Sequence, residues 1–500
     1  MREPIIGAVD QGTGSTRVLL YDSKGRTLAR AQRTLHTTFP HAGWVEQDPE
    51  ELWEATLACM REVMAAAGVT PDVLTAVGLA NQTESFLLWD RRNGRAVTPV
   101  INWQCRRGAA ICDRLRAGGH AETIRVATGL PLDATFSAPK VRWALDQLPE
   151  ARRLAARDAL AFGTLDSWLL WRLSGGRIYV TDASNAARTM LFNIRTQRWD
   201  KALLSLFDLP ASLLAAVRDS SEVYGVCSRQ IFGAEIPLAG AAGDQSCALL
   251  GLGCVYPGMA KVTYGTGAFI WINTGPEPQF LDPGLVTTVA WRLNGMATYA
   301  LEGFIISAGA IVRWLTDALG ILRSPEESAD LAAAVPDTGG VLFVPALAGL
   351  GSPYWDAKVR GGFLGLSLAT GRGHLTRAVL EAITYRVREV IGVLGEGNPL
   401  TPQVLRVDGA VSRNDFLLQL QADTLRIPVE RAVRQESTSL GAAILAGLAL
   451  GVWANVQEAA ELWQADRIFC PHAARESVES RYRHWQRTVN LVRTLAETSG

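Results

Sequence analysis

Two glycine-threonine-glycine turns, each placed between apolar segments, are the feature that most constrains how this chain folds. Gly12-Thr13-Gly14 follows the apolar run at residues 5–9, and Gly265-Thr266-Gly267 follows the run at 259–264. An apolar strand, a turn of small residues and a returning strand predict a β-hairpin. Because the pattern occurs once in each half of the chain, we expect two halves of related architecture.

The elements around the two turns predict an α/β fold with mixed sheets. In the first half, strands at 5–9, 17–21 and about 27–35 precede a helix that begins at Pro49 and a strand at 73–80. In the second half, Asn294-Gly295 joins two strands in a strong hairpin pattern. The other elements predicted there are a helix at 305–319, a strand at 341–346, a helix at 374–394, a strand at 404–407 and helices at 414–425 and 438–450.

The length and composition of the chain favour more than one domain. It has 500 residues, of which 48% are hydrophobic, so it can bury a large core in two or more domains. A stretch of small residues at 240–255 marks the predicted boundary. We therefore expect an N-terminal domain at 1–245 and a C-terminal domain at 246–500.

The charge balance excludes large charged binding surfaces. Lysine and arginine total 49, as do aspartate and glutamate, so we expect neither nucleic acid nor a membrane as a partner. No run of 18 apolar residues occurs, and the seven cysteines form no C-x-x-C pair. These features lead us to expect reduced thiols and a cytoplasmic protein.

Two segments have the composition of an anion site. Asp10 ends a strand and is followed by small and hydroxylated residues, a combination that suits phosphate and Mg²⁺, and no G-K-[ST] sequence follows it. A ligand-free hairpin turn explains the same residues. With the second turn opposite, the pair could hold a polyphosphate between two domains.

A third segment is the strand that ends at Asp408-Gly409 and is followed by Asn414. It is either a capped turn or a place where a backbone approaches a base.

Two further segments carry candidate catalytic side chains. Asp244 and Gln245 follow a run of small residues at the start of an apolar helix, where the aspartate is either an N-cap or a general base. Asn81-Gln82-Thr83-Glu84 lies between two apolar runs that we expect to be strands. Polar side chains at the end of buried strands are expected at a cleft.

The ordered motifs resemble the FGGY carbohydrate kinases over nearly the whole chain, and within that family the glycerol kinase branch. The stretches that carry the resemblance include DQGTGSTR (10–17), NQTE (81–84), NWQCRR (102–107), FSAPKVRW (136–143), TDASNAARTMLFN (181–193), AGDQ (242–245), TYGTG (263–267), GLGSPYWD (349–356) and VDGAVSRN (407–414).

The resemblance implies a fold, a reaction and a set of partners. It implies two ribonuclease-H-like domains of the actin and hexokinase type, which close on ATP and Mg²⁺ and transfer the γ-phosphate to a terminal hydroxyl of a small polyol or sugar. It also implies a homodimer or homotetramer. An actin-like ATPase that is not a kinase shares this fold, but a retained small-molecule pocket argues against that alternative.

Carried over position by position, the resemblance implies a role for each candidate residue. Asp244 is expected to be the catalytic base and Asp10 the carboxylate on the Mg²⁺ side. The expected substrate contacts are Thr83, Glu84, Trp103, Thr135, Asp244, Gln245 and Phe269. The expected nucleotide contacts are Thr13, Gly14, Ser15, Arg17, Thr266, Gly309, Arg313, Ala410 and Asn414.

Two positions depart from the glycerol kinase pattern. Thr83 stands where those enzymes carry arginine, and Thr135 stands where they carry tyrosine. Losing a charge-assisted hydrogen bond weakens binding by about 1.5–3 kcal/mol, and two smaller side chains predict a larger cavity. Two hypotheses remain open: a polyol or ketose of four or five carbons is the substrate, or glycerol is the substrate of a rearranged pocket.

Overall fold

A computed structural model of the chain describes residues 3–281 and 284–498. The strands of its N-terminal half are β1 (Ile5–Gln11), β2 (Ser15–Asp22), β3 (Thr27–Thr34), β4 (Glu46–Gln47), β5 (Leu74–Asn81), β6 (Phe86–Asp90), β7 (Val100–Ile101), β8 (Leu160–Thr164), β9 (Val180–Asp182), β10 (Phe192–Asn193), β11 (Arg198–Trp199), β12 (Ala216–Arg218), β13 (Val223–Val226) and β14 (Pro237–Gly243).

The helices of the N-terminal half are α1 (Pro49–Ala67), α2 (Ala109–Ala117), α3 (Ala121–Thr128), α4 (Ser137–Gln147), α5 (Pro149–Ala155), α6 (Leu165–Leu173), α7 (Ala183–Ala187), α8 (Lys201–Leu206), α9 (Arg229–Phe232) and α10 (Asp244–Gly251).

The strands of the C-terminal half are β15 (Ala260–Tyr264), β16 (Ala268–Gly275), β17 (Val286–Leu293), β18 (Met296–Ile305), β19 (Leu342–Val344), β20 (Gly362–Leu364), β21 (Leu405–Asp408), β22 (Val429–Ala432) and β23 (Ala465–Phe469). Its helices are α11 (Gly309–Asp317), α12 (Glu327–Ala333), α13 (Arg372–Gly392), α14 (Asp415–Leu425), α15 (Ser437–Ala449), α16 (Val456–Ala460) and α17 (Arg475–Thr498).

The two large sheets share one core topology, which confirms the fold class. The N-terminal sheet runs β13-β14-β5-β1-β2-β3, and the C-terminal sheet runs β17-β18-β16-β15-β21-β22-β23. In each sheet, an antiparallel hairpin made at a glycine-threonine-glycine turn pairs on its other edge with a parallel strand, β5 in the first half and β21 in the second. The repeated turn therefore marks a repeated ribonuclease-H-like sheet.

Helix α1 shows how the local sequence sets an element. Asp48 accepts a hydrogen bond from the Glu50 amide as the N-cap, Pro49 opens the first turn, and Gly68 ends the helix with φ +63°. The apolar face packs against the first sheet and leaves Leu52 and Cys59 fully buried. The predicted helix therefore forms at its predicted position.

Helices α10 and α15 pack closely where the two halves meet. A Cβ atom added at Gly441 of α15 would lie 1.9 Å from the Cys247 carbonyl oxygen, and one at Gly251 of α10 would lie 1.9 Å from the Ser437 carbonyl oxygen. Helix α15 also lies against the N-terminal sheet, since a Cβ at Gly78 would lie 2.2 Å from the Ala442 carbonyl oxygen. Small residues thus bring backbone against backbone along this seam.

One predicted boundary is wrong. The sequence pattern predicts a helix that begins at residue 305, but β18 continues through Ile305 and α11 begins only at Gly309. The apolar residues 304–306 suit either element, and pairing with β16 decides in favour of the strand because Phe304 lies opposite Phe269. The longer strand places additional side chains at the cleft.

Candidate active site

A cavity of about 150 Å³ lies at the cleft between the halves. The substrate contacts expected from the sequence are Thr83, Glu84, Trp103, Thr135, Asp244, Gln245 and Phe269, and all of them line it. The wall is completed by Thr13, Gln82, Asp133, Phe136, Arg188, Val286, Glu302, Phe304 and Trp355. Aromatic and polar side chains both line it, as is usual for a small-molecule site.

The four polar residues at the end of β5, Asn81 to Glu84, lie at this cleft. Asn81 donates to Asn185 Oδ1 at 2.8 Å, and Gln82 receives hydrogen bonds from Thr13 and Asn102. Glu84 has φ +61°, a backbone conformation that few residues other than glycine adopt. Asn81 and Gln82 therefore hold the turn, while Gln82, Thr83 and Glu84 form part of the cavity wall.

Glu84 takes part in a buried network of charges. Its Oε2 accepts from the Thr83 hydroxyl at 2.7 Å, and its Oε1 accepts from Arg188 Nε at 2.5 Å. Arg188 Nη2 donates to Glu302 Oε1 at 3.0 Å. Glu302 lies on β18, so the network joins the two halves beside the cavity.

The first glycine-threonine-glycine turn is tied to this cavity. The Thr13 hydroxyl accepts from Trp103 Nε1 at 3.0 Å, and its carbonyl oxygen accepts from Gln47 Nε2 at 2.7 Å. In the same turn, Gly14 is exposed and a Cβ added there would meet no described atom within 4 Å. The backbone of this turn thus has room beside it while its threonine is held in place.

Asp244 has the electrostatic properties of a base. It is the first residue of α10 rather than the N-cap, and its Oδ1 accepts from the Gln245 amide at 2.8 Å. Enclosure in the cleft, with Asp10 and Glu84 nearby, raises the pKa of Asp244 to about 7. A carboxyl group with a pKa near neutrality can accept a proton from a hydroxyl at ordinary pH.

A buried lysine faces the same region. Lys261 Nζ donates to Gln245 Oε1 and, at 2.8 Å, to Thr263 Oγ1. Burial lowers the pKa of Lys261 to about 8, while the carboxylates of Asp408 and Asp244 oppose that decrease. The ammonium group fixes the Gln245 side chain and offsets part of the negative charge in the cleft.

Asp10 and Asp408 form a set of oxygen donors that fits a magnesium ion. Burial raises the pKa of Asp10, Arg17 at 3.6 Å opposes the rise, and Asp408 adds to it. Asp408 Oδ1 is buried and has no hydrogen-bond partner among the described residues. Within residues 3–281 and 284–498, no three acidic, histidine or cysteine side chains are close enough to hold a metal by themselves. Mg²⁺ commonly keeps several waters and binds through few carboxylates, so these residues fit it.

A second cavity, of about 580 Å³, lies in the C-terminal half. It brings together the expected nucleotide contacts Thr266, Gly309, Arg313, Ala410 and Asn414. The other expected contacts belong to the N-terminal half, with Thr13 and Gly14 in the β1–β2 turn and Ser15 and Arg17 at the start of β2.

Close packing shapes the second cavity. A Cβ added at Gly309 would lie 2.5 Å from the Gly265 carbonyl oxygen, so glycine is required there. Arg313 Nη2 donates to the Thr266 hydroxyl at 3.0 Å. Asn414 is the N-cap of α14, accepting from the Leu417 amide at 2.9 Å, so the capped-turn interpretation is correct, and the residue also lines the cavity.

Several cavity residues were not predicted from the sequence. Arg188 lies in the stretch TDASNAARTMLFN, where its charge among apolar neighbours is the signal that could have identified it. Glu302 and Phe304 lie two residues apart on one face of β18, and the incorrect prediction of a helix from residue 305 conceals that alternation. Phe304 stacks on Phe269 with ring centroids 4.7 Å apart and narrows the cavity.

Comparisons with known proteins match nearly the whole chain. The model for the N-terminal domain of the FGGY family of carbohydrate kinases matches residues 5–251, and the model for the C-terminal domain matches residues 260–450. Glycerol kinase 2 of Thermotoga maritima is 47% identical over 483 residues, 97% of this chain and 97% of that protein. Glycerol kinase of Aromatoleum aromaticum is 49% identical over 97% of this chain and 98% of its own length.

Solved structures agree with these matches. The crystal structure of Plasmodium falciparum glycerol kinase with ADP superposes with a TM-score of 0.92 at 30% identity and covers 98% of each chain. A ligand-bound xylulose kinase from Lactobacillus acidophilus gives a TM-score of 0.89 at 22% identity, covers 99% of each chain and supports the fold. Among the described helices, none combines the length and apolar character needed to cross a membrane.

Proposed function

Because the chain belongs to the FGGY family of carbohydrate kinases, we propose that it transfers the γ-phosphate of ATP to a terminal hydroxyl of glycerol. It is a glycerol kinase-like phosphotransferase with an alcohol acceptor, and ATP is its phosphoryl donor. The choice of glycerol over a longer polyol is the part that the site supports and experiment must test.

We assign the cavity at the cleft to the phosphoryl acceptor and call it the acceptor cavity. Its volume is the observation that carries the choice of glycerol. The cavity measures about 150 Å³. An engineered protein cavity of about that volume accommodates benzene, which has as many heavy atoms as glycerol. A five-carbon polyol has ten heavy atoms, against six in glycerol. The larger cavity that Thr83 and Thr135 predict is thus not supported by the volume, and bulky Phe304 and Trp355 lie in the wall.

The polar wall of the cavity suits a small polyol. A hydroxyl group both donates and accepts hydrogen bonds. Glu84, Asp244 and Glu302 supply acceptors, and Arg188 supplies donors, around one small volume. Trp103 and Phe269 offer apolar faces to the carbon chain. Relatives named glycerol kinase, 45–49% identical over nearly their full length, support the same substrate.

The mechanism follows from positions and charges. Phosphoryl transfer needs in-line positioning and charge stabilisation more than covalent help. Asp244 would orient the attacking hydroxyl and accept its proton at a carboxylate oxygen. Asp10, with Asp408 nearby, would hold Mg²⁺, which neutralises charge on the phosphate oxygens when bound. The backbone of the two glycine-threonine-glycine turns would hold the phosphates, and the C-terminal cavity the adenosine.

A panel of acceptors tests the proposed substrate. We expect kcat/KM for glycerol to exceed that for erythritol, threitol, xylitol, ribitol and ketopentoses by at least about tenfold. Each carbon beyond three would press against the cavity wall, and overpacking of this kind costs about 1–3 kcal/mol per misfitted group. ADP formation in a coupled assay with saturating MgATP measures the rates. A kcat/KM for any four- or five-carbon acceptor tenfold above that for glycerol would contradict the choice of glycerol and favour the longer-polyol hypothesis.

A further inference from the structure

One guanidinium group connects the two halves of the molecule at the acceptor cavity. Arg188, at the end of α7, contacts Glu84 Oε1 at 2.5 Å and Glu302 Oε1 at 3.0 Å. The residues are 6%, 4% and 4% exposed, respectively. Glu84 and Arg188 belong to the N-terminal half, and Glu302 belongs to β18 of the C-terminal half. All three line the cavity.

The network has the composition of a binding site rather than of a stabilising bridge. Two carboxylates share one guanidinium, so a net negative charge is buried there. Buried ion pairs are weak devices for stability, because desolvation opposes their mutual attraction. Moreover, Arg188 Nη1 is buried without a hydrogen-bond partner in the described part of the chain. A group left unsatisfied in this way calls for an explanation outside stability.

The network also determines where Glu84 lies. Glu84 has a left-handed backbone conformation at φ +61°, which needs support from its surroundings. Thr83 holds one carboxylate oxygen at 2.7 Å, and Arg188 holds the other. A carboxylate has about four sites for hydrogen-bond donors, so both oxygens can still accept from a ligand. Arg188 thereby orients Glu84 toward the cavity and leaves both Glu84 carboxylate oxygens able to accept from a ligand.

We propose that Arg188 is a positioning residue for acceptor binding, because it holds Glu84 and Glu302 at a fixed separation across the cleft so that both carboxylates accept hydrogen bonds from one polyol. This inference rests on the proposed function. It assigns a role to Glu302 as well, as the contact through which the C-terminal half reaches the acceptor. The nucleotide cavity lies elsewhere and shares none of the three residues.

Substitution of Arg188 by lysine tests the proposal. A lysine ammonium group keeps the charge but cannot make the planar fork that joins two carboxylates. We expect Arg188→Lys to raise the acceptor KM at least about tenfold, as expected for lost acceptor binding. The dissociation constant of a non-hydrolysable ATP analogue, measured without acceptor, should change less than about threefold. Glu302→Gln, which keeps an oxygen acceptor and removes the charge, should also raise the acceptor KM. The double variant should show less than the product of the two effects.

A matched control comes from a second ion pair between the same halves. Arg292 on β17 contacts Asp219 at 2.6 Å, with side chains 12% and 19% exposed. Neither residue lines the acceptor cavity as the structure describes it. We expect Arg292→Lys to leave the acceptor KM within twofold of the unmodified chain. An equal rise in both lysine variants would show that any bridge between the halves has this effect, and would overturn the proposal.

Calorimetric titration with the acceptor alone provides a readout that does not depend on turnover. Arg188→Lys should weaken acceptor binding at least about tenfold while circular dichroism and the melting temperature show a folded protein. Unchanged binding in a folded Arg188→Lys variant, with an active unmodified chain, overturns the Arg188 proposal alone. If the unmodified chain transfers phosphate to no acceptor of the panel, the proposed function fails and this inference fails with it.

Discussion

At the scale of single residues, Asp244 combines two features that the sequence could not separate. Its position at the start of a helix is typical of an N-cap, but Gly243 occupies that position and Asp244 is the first helical residue. The carboxylate faces the acceptor cavity and has a pKa raised to about 7 by desolvation and by neighbouring carboxylates. The geometry therefore favours the general-base interpretation over the capping one.

The raised pKa of Asp244 predicts a pH dependence. A base acts only when deprotonated, so kcat/KM for the acceptor should fall about tenfold per pH unit below about pH 7, where Asp244 is protonated in the free enzyme. Initial rates between pH 5 and 9, at subsaturating acceptor, measure this dependence.

Asp244→Asn serves as the control for the pH profile. General-base catalysis is worth about 10²–10⁴-fold, so this variant should lose at least about a hundredfold in kcat and lose the inflection near pH 7. A flat profile down to pH 5 in the unmodified chain, or a variant that retains more than about a tenth of kcat, contradicts the role of Asp244 as the base.

Some site residues could be predicted from the sequence and others could not, for a physical reason. Thr83, Glu84 and Asp244 lie in short polar segments at the ends of apolar strands, where the local pattern indicates a cleft. Arg188 and Glu302 are 114 residues apart, and their hydrogen bond exists only in the folded chain. Local patterns carry no information about such a contact, so the charged network was found only in three dimensions.

At the scale of secondary-structure elements, the turn that follows β21 positions the C-terminal cavity. Gly409 has φ +89°, and a Cβ there would lie 2.3 Å from the Tyr264 carbonyl oxygen at the end of β15. The next residue, Ala410, lines the cavity, and a short 3₁₀ turn leads from it to α14. The close approach of β15 and this turn therefore sets the position of the expected adenosine contacts.

Gly409→Ala should damage both stability and nucleotide binding. Gly409 has φ +89° and ψ +166°, a backbone region that is essentially restricted to glycine and that costs alanine about 1–3 kcal/mol. Contact with the Tyr264 carbonyl adds to that figure. We expect a lower free energy of unfolding in urea and a several-fold higher MgATP KM, with the acceptor KM little changed.

Gly451→Ala is the matched control for Gly409→Ala. Gly451 has φ +72°, but a Cβ added there meets no described atom within 4 Å. The Gly451→Ala variant should therefore lose only the stability that the strained backbone costs, and its MgATP KM should stay unchanged. Equal MgATP KM values in Gly409→Ala and the unmodified chain would contradict the importance of the turn.

Periodicity predicted most of the elements but not all of their ends. The helix from Pro49 and the hairpin at Asn294-Gly295 are found where the sequence predicts them, because caps and turn residues mark their limits. The start of α11 is different, since the apolar residues 304–306 suit either a strand or a helix. The first two of them belong to a strand because β18 pairs with β16, and the residues next to them in the sequence give no indication of that pairing.

At the scale of the whole molecule, the two ligand sites draw on the halves unequally. The cavity that we assign to the nucleotide is lined by residues of the C-terminal half alone. The acceptor cavity draws on both halves, and Arg188 and Glu302 meet across it at 3.0 Å. The seam of small residues between α10 and α15 joins the halves nearby. The acceptor site is therefore complete only when the halves are together, and closure of this kind excludes water from phosphoryl transfer.

The contact between Arg188 and Glu302 has a thermodynamic consequence. If a nucleotide bound in the C-terminal half favours the closed arrangement, it must tighten acceptor binding, and linkage requires that the acceptor tighten nucleotide binding by the same factor. We expect a factor of about 5–150, the usual range for such coupling. Titrating each ligand in the presence and absence of the other, with a non-hydrolysable ATP analogue, measures both factors. Two factors near unity would mean that the sites act independently, whereas Glu302→Gln should reduce both factors together.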